Sequence, residues 1–290
     1  MRILSLALAL TLAGALLLPE VASANFITPK AGGSPNANQI DSLYKIILYI
    51  AAVVFAIVEG ALIYSVFKFR AKKGAVAAQI HGNTRLEIGW TVGAALILVV
   101  LTVVTFVKLP SIINPPPSDA GTVLSASTTE PSVPGNQKIT ICVQGRQFIW
   151  RYTYGNQCLS NAFHGGSGGR QLPYSYTTMW APVGATVILA IQANDVIHSW
   201  WVPSLGGKVD AVPGYTTYTW FKALHQGTFH GQCAQLCGRG HAAMVAFVHV
   251  VSPQAYQAWL TQQQAAINAA NNQVGELRDY LTKIGSLGAQ

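Results

Sequence analysis

Apolar residues follow two rhythms along this chain. Before residue 110 they come in long runs, and after residue 137 in short segments cut by turn residues. Three long runs stand out. The first, MRILSLALALTLAGALLLPEVASA, has Arg2 at its start and the small residues Ala22, Ser23 and Ala24 at its end. That order of basic start, apolar middle and small-residue end predicts a cleavable export signal over residues 1–24. The second and third, YKIILYIAAVVFAIVEGALIYSVF and WTVGAALILVVLTVVTFV, are apolar on every face. Each has about the 20 residues that a bilayer core requires of a helix. They predict a transmembrane hairpin within 25–109, with helices at about 44–67 and 88–108.

Polar positions orient the hairpin. The connecting stretch KFRAKKGAVAAQIHGNTRLE holds Lys68, Arg70, Lys72, Lys73 and Arg85 against one acid, Glu87. Basic residues in a short loop mark the cytoplasmic side. Both outer ends then face away from the cytoplasm, giving a two-pass protein of the cell's inner (plasma) membrane. Its C-terminal part lies on the periplasmic, extracytoplasmic side, and membrane lipid is a partner. Residues 110–137 are rich in Pro, Ser and Thr and read as a linker. Over 138–252, KITICVQ, QFIWRYTY, TTMWAPV, ATVILAIQA, TYTWFKA and MVAFVHVV carry the β-branched and aromatic residues of strands. Short strands without intervening helices predict a β-sandwich or barrel. The glycine-rich NAFHGGSGGR between them lacks the Lys-Ser/Thr of a phosphate loop and reads as a flexible connection. Ser252 and Pro253 then suit the cap and first position of a helix, so 253–290 reads as a helical tail, with an interruption expected near Gly275.

Charge adds one oddity. The chain has a net charge of +8. From residue 110 on there are nine Lys+Arg and six Asp+Glu, a net +3, so 15 of 181 residues are charged. Soluble domains run near 25% charged. Two explanations stand open: an acidic outer medium, or a large interface with other subunits. No nucleic-acid partner is expected.

The chemistry is concentrated in GQCAQLCGRGHAAM, residues 231–244. Four cysteines and three methionines serve the whole chain, and three of these seven residues fall in this stretch with a histidine. A Cys233–Cys237 disulfide is the plain alternative in an oxidising compartment, but it leaves His241 and Met244 without a reason. Thiolate, imidazole and thioether are soft donors that suit copper. The C-x-x-C-H of c-type haem attachment is absent. Two cysteines can bridge two coppers, and each copper then wants an imidazole. DVIHSWWVPSLGGKVDAVPG supplies the second one, His198, just after the strand ATVILAIQA.

NDVIHSWWVPSLGGKVDAVPG, GQCAQLCGRGHAAM, VHVVSP, the LEIGWT start of the second helix and the aromatic run RQFIWRYTY together resemble subunit II of cytochrome c oxidase, in the haem–copper oxidase family. The resemblance covers about residues 40–260. It implies an N-terminal two-helix transmembrane hairpin plus an all-β cupredoxin domain, a Greek-key β-sandwich, followed by a C-terminal helix. It implies a binuclear CuA centre of two copper ions. In it Cys233 and Cys237 bridge both coppers, His198 and Met244 complete one, and His241 with the backbone carbonyl of Gln235 complete the other. The implied partners are oxidase subunit I, with haem and CuB, and subunit III. A cytochrome c or a copper protein outside the membrane would be the electron donor. Oxygen reduction coupled to proton translocation would fall to subunit I, with no catalytic residue for oxygen in this chain.

Several residues depart from the family pattern or belong to its edges. A glutamate usual at position 235 helps hold magnesium at the interface with subunit I. The neutral amide of Gln235 is a weaker ligand for a hard cation, so that site is weakened here. Phe148 stands where the family has the tryptophan that receives electrons, leaving Phe148, Trp150 and Trp200 as candidates for that path. The net basic domain points to a donor less basic than mitochondrial-type cytochrome c. Glu87 is implied at the entrance of a proton path into subunit I, and Glu59, inside the first helix, is read as packing against subunit I. Cys142 and Cys158 form a disulfide or remain buried thiols. His225, His230 and His249 read as ordinary strand or loop histidines. Two other readings compete: a copper-free quinol oxidase subunit II, and a copper delivery or storage module.

Overall fold

A computed structural model describes residues 28, 30–70, 76, 82–119, 138–155 and 172–287, with side chains to residue 277. The export signal, most of the linker, Lys72, Lys73, NAFHGGSGGR and Cys158 lie outside the described residues. Two long helices form an antiparallel hairpin, α1 (Pro35–Lys68) and α2 (Thr84–Ile113). From Ala51 onward in α1 and over most of α2 the apolar side chains are exposed, the condition of a helix meant for lipid. Both exceed the lengths expected from hydropathy. The first turns of α1 are polar because they pack on protein: Asn36 and Ala37 are buried, and Ser34 accepts from the Lys222 backbone N–H at 3.0 Å. Asn83 caps α2 through the Leu86 N–H at 3.2 Å. Its far end runs through Pro110 to Ile113, so the linker starts later than residue 110.

Among the described residues ten strands make the exported domain: β1 (Ile139–Arg146), β2 (Ile149–Tyr154), β3 (Tyr174–Tyr176), β4 (Thr178–Pro182), β5 (Thr186–Ala193), β6 (His198–Trp201), β7 (Val209–Ala211), β8 (Thr217–Lys222), β9 (Gly227–Cys233) and β10 (Val245–Val251). They form two five-stranded sheets, ordered β3-β2-β1-β5-β8 and β4-β10-β9-β6-β7. One apolar core lies between them. Ile141, Val143, Tyr152, Leu189 and Ile191 come from the first sheet, and Trp200, Ala246, Val248 and Val250 from the second. The β-sandwich read from the alternating segments is therefore present. Strands β3, β6, β7 and β9 escaped the pattern: three are short, and β9 has two glycines and mostly exposed side chains.

A third helix, α3 (Pro253–Leu287), closes the domain. Ser252 Oγ accepts from the Ala255 N–H at 3.2 Å, an N-cap. Tyr256, Leu260 and Ile267 are buried, and Trp259 stacks on Trp180 at 5.1 Å between centroids. The helix runs through Gly275 without the expected interruption. A glycine at an exposed helical position costs about 1 kcal/mol, which does not end a helix.

Candidate metal centre

β9 and β10 pair antiparallel, and the loop between them, residues 234–244, carries most of the soft donors. β6 pairs with β9 so that Trp200 lies opposite Cys233. His198, at the start of β6, therefore lies beside the end of β9. The Ala234 N–H to Ser199 carbonyl bond (2.9 Å) holds the loop against β6, and the Cys233 N–H to Met244 carbonyl bond (2.8 Å) closes its base. The chain reverses within the loop at Gly238, whose φ of +133° favours glycine. His241–Ala243 then form a short 3-10 turn before β10.

The donor atoms converge. Cys233 Sγ lies 4.0 Å from Cys237 Sγ and 4.0 Å from His198 Nδ1. Cys237 Sγ lies 3.6 Å from His241 Nδ1, and Cys233 Sγ is 3.3 Å from the Gln235 carbonyl oxygen. Ligands roughly 2.0–2.3 Å from one metal ion stand about 3.5 Å from each other in tetrahedral geometry. The observed separations have that scale. His198, Cys233, Cys237 and Met244 are buried, while the Gln235 side chain is exposed, so Gln235 offers the site its backbone. Two sulfurs, two imidazoles and a thioether on one loop and its neighbouring strand fit copper by softness.

The support around the donors sets their chemistry. Asp195 Oδ1 lies 2.8 Å from His198 Nε2 and accepts from the Val196 N–H at 2.7 Å, while its Oδ2 accepts from the Gln147 N–H at 2.7 Å. A carboxylate on one ring nitrogen fixes the tautomer and turns the other toward the thiolates. Burial opposes ionisation of Asp195, but those N–H groups and His198 hold its carboxyl below the usual range. Burial also opposes charge on His198, yet Cys233 and Asp195 raise its pKa. At Cys233, burial is outweighed by bonds from His198, the Ser199 and Gln235 backbone and His241, and the thiol falls to about 6. At Cys237, burial and then the Cys233 charge push the thiol up to about 11. A cation taken up here displaces the Cys237 proton.

The hairpin between β1 and β2 lies over the loop. Gln147 Nε2 donates to the Cys237 carbonyl at 2.6 Å. A Cβ at Gly240 would stand 2.5 Å from the Phe148 ring, and one at Gly238 3.1 Å from it, so the ring rests on both glycines. Phe148 keeps 38% of its surface exposed. Trp150 is fully buried, edge-on to His198 with centroids 5.9 Å apart. Trp200 is buried too, its indole N–H donating to Tyr152 Oη at 3.3 Å. Of the three aromatic candidates only Phe148 presents a surface. Glu87 sits in the first turn of α2, outside this cluster. Glu59 is half-buried on an otherwise exposed stretch of α1. Cys142 is buried and disulfide-bonded, while Cys158 lies outside the described residues. His230 packs edge-on against Phe247 and joins no donor group among the described residues. Sequence reasoning passed over Asp195 and Gln147. The signal for Asp195 is its place three residues before His198; Gln147 has none.

The family model described as cytochrome C oxidase subunit II, transmembrane domain, matches residues 22–107, and that described as its periplasmic domain matches residues 139–251. A cytochrome c oxidase subunit 2 of Cereibacter sphaeroides is 34% identical over 265 residues, covering 81% of this chain and 81% of the relative. One of Alkalihalophilus pseudofirmus is 34% identical over 235 residues and 80% of this chain, and the match spans 61% of that relative's length. The crystallised periplasmic domain of subunit II of cytochrome oxidase of Bradyrhizobium japonicum is 28% identical, with a TM-score of 0.38, covering 44% of this chain and 94% of that one.

Proposed function

The chain belongs to the cytochrome c oxidase subunit II family, with two membrane-spanning helices and a periplasmic β domain, and from that premise we propose that it receives electrons for a haem–copper oxidase at a binuclear copper centre. The convergence of Cys233, Cys237, His198 and His241 at one end of the sandwich, with Met244 buried at the base of the same loop, carries the proposal. Cys233 and Cys237 would hold both coppers, His198 and Met244 one of them, and His241 with the Gln235 carbonyl the other. The bound pair supplies a site that takes up and releases single electrons. The chain's residues keep that site rigid. Asp195 fixes the His198 ring, Gln147 ties down the Cys237 carbonyl, and backbone bonds from β6 and Met244 hold the loop. Phe148 offers the outer contact to a donor, and Trp150 packs between that hairpin and His198. Electrons would pass to haem in subunit I, where oxygen is reduced and protons are moved, with subunit III completing the complex. Glu87 would stand at the cytoplasmic entrance of a proton path. The amide of Gln235 makes any magnesium site at the subunit I interface weak.

Copper content and electron paramagnetic resonance of the purified chain test the centre. Two coppers per chain sharing one unpaired electron over both nuclei are expected. A single copper, or none after reconstitution, would overturn the proposal and reopen the quinol-type and copper-handling alternatives.

A further inference from the structure

The hairpin tip that carries Phe148 is flanked in sequence and in space by two arginines. Arg146 ends β1, two residues before Phe148. Arg239 lies between Gly238 and Gly240, the two glycines against which the Phe148 ring rests. Both arginines are exposed, and no ion pair among the described residues includes either. Around them lie exposed apolar side chains of the metal-centre loops: Leu236 at 77%, Ile197 at 46% and Val196 at 39%.

Among the described residues, one acid lies beside this face: Asp195, whose carboxylate is one-third exposed and bonded to the Gln147 N–H. The described acids of the exported part are Asp119, Asp195, Asp210 and Glu276. Asp119 pairs with Lys222 and Asp210 with Lys208. Asp195 spends its oxygens on Gln147, Val196 and His198. Glu276 sits on the part of α3 beyond its buried contacts. Beside Phe148, two arginines outside any ion pair therefore stand against one carboxylate already engaged by His198 and two backbone N–H groups, and the described side chains leave no other acid there to meet a lysine-ringed donor.

We propose that Arg146 and Arg239, flanking the Phe148 donor contact, select an electron-carrier protein whose exposed redox edge is apolar and ringed by carboxylates. The proposal rests on the reading of the loop as an electron-receiving copper centre. Its physical basis is ordinary: the apolar centre excludes water at contact, and the two arginines set orientation and partner choice. Arginine suits the task because its planar fork meets carboxylates two-pronged.

The test uses the purified, copper-loaded oxidase complex and one probe in two charge states, mitochondrial-type cytochrome c and the same cytochrome with its lysines succinylated. Binding is measured at low and at physiological ionic strength. The succinylated form is expected to bind about tenfold more tightly at low salt, with the preference shrinking as salt rises. Arg146→Glu and Arg239→Glu are each expected to weaken its binding about tenfold, and the double variant to prefer the unmodified, basic form. Equal or tighter binding of the basic form by the wild-type complex would overturn the proposal, as would charge reversals that leave both affinities unchanged. Paramagnetic resonance of the same samples separates the two levels. Absence of the two-copper signal with the charge preference intact would sink the copper reading and leave the docking surface standing. The signal present and the preference absent would do the reverse.

Discussion

In the proposed copper centre, Asp195 would govern the metal without binding it. Its two oxygens serve three partners, and only the ionised carboxylate can accept from all of them. Asp195→Asn keeps the shape but puts an amide N–H₂ where one acceptor was needed, so His198 loses its fixed tautomer or the hairpin loses its tie. Copper affinity should fall roughly 10–100-fold with the fold retained, as seen for lost outer-sphere carboxylates. Competition with a chelator reads this directly, and an unchanged affinity would remove Asp195 from the centre's support. Gly240 makes a steric case. Its absent Cβ is what lets Phe148 lie flat on the loop, so Gly240→Ala should destabilise the domain by about 1–3 kcal/mol through overpacking. Adding Phe148→Ala should restore part of that loss in thermal unfolding; additive losses would mean that the two do not touch. Cys233, Cys237, His241 and Met244 were legible because one loop fixes their spacing. The Gln147–Asp195 bond was not, because it joins residues 48 apart that only the folded sheets bring together.

At the scale of elements, legibility followed periodicity. β10 alternates buried and half-buried residues, and β5 is a nearly continuous buried apolar run, so both could be read from their sequence. β6 could not, since four residues, HSWW, are too few to show a period, and they were noticed as part of a motif instead. The start of α1 was missed for another reason: a polar helical segment looks like a loop until the domain it packs on is present. α3 divides into an anchored half and a projecting half. Tyr256 is fully packed among Tyr154 and Trp259, whereas residues 268–277 are exposed. Removing residues 272–290 should change thermal stability by less than about 0.5 kcal/mol, as for surface changes. Tyr256→Ala should cost about 3–5 kcal/mol, as for other large buried aromatics. Equal effects in thermal unfolding would show that the projecting half is packed after all.

The whole molecule joins a membrane hairpin to a sandwich, and β8 is the joint. Ser34 accepts from the Lys222 N–H, Asn36 donates to the Trp220 carbonyl at 2.7 Å, and the Trp220 indole donates to the Ile113 carbonyl at 3.0 Å. Lys222 Nζ reaches the Pro117 carbonyl at 3.0 Å and Asp119 at 2.7 Å. Both outer ends of the hairpin thus meet one strand. β8 pairs with β5, β5 with β1, and β1 leads to Phe148. Hydrogen-bonded strands therefore connect the membrane anchor to the proposed donor contact, and the copper loop's orientation to subunit I would depend on that joint. Lys222→Met tests it, because methionine keeps most of the buried stem and loses the polar head. The Asp119 carboxylate is largely exposed, so its ion pair contributes little. The bond to the Pro117 carbonyl is the ammonium's other contact, and the variant loses it as well. The variant should keep its two coppers and its donor affinity. Backbone amides of residues 33–38 and 119 should exchange hydrogen faster, and electrons should pass more slowly from the copper centre to haem in the intact complex. Exchange and transfer rates equal to the wild type would mean that partner subunits, and not β8, hold the domain in place.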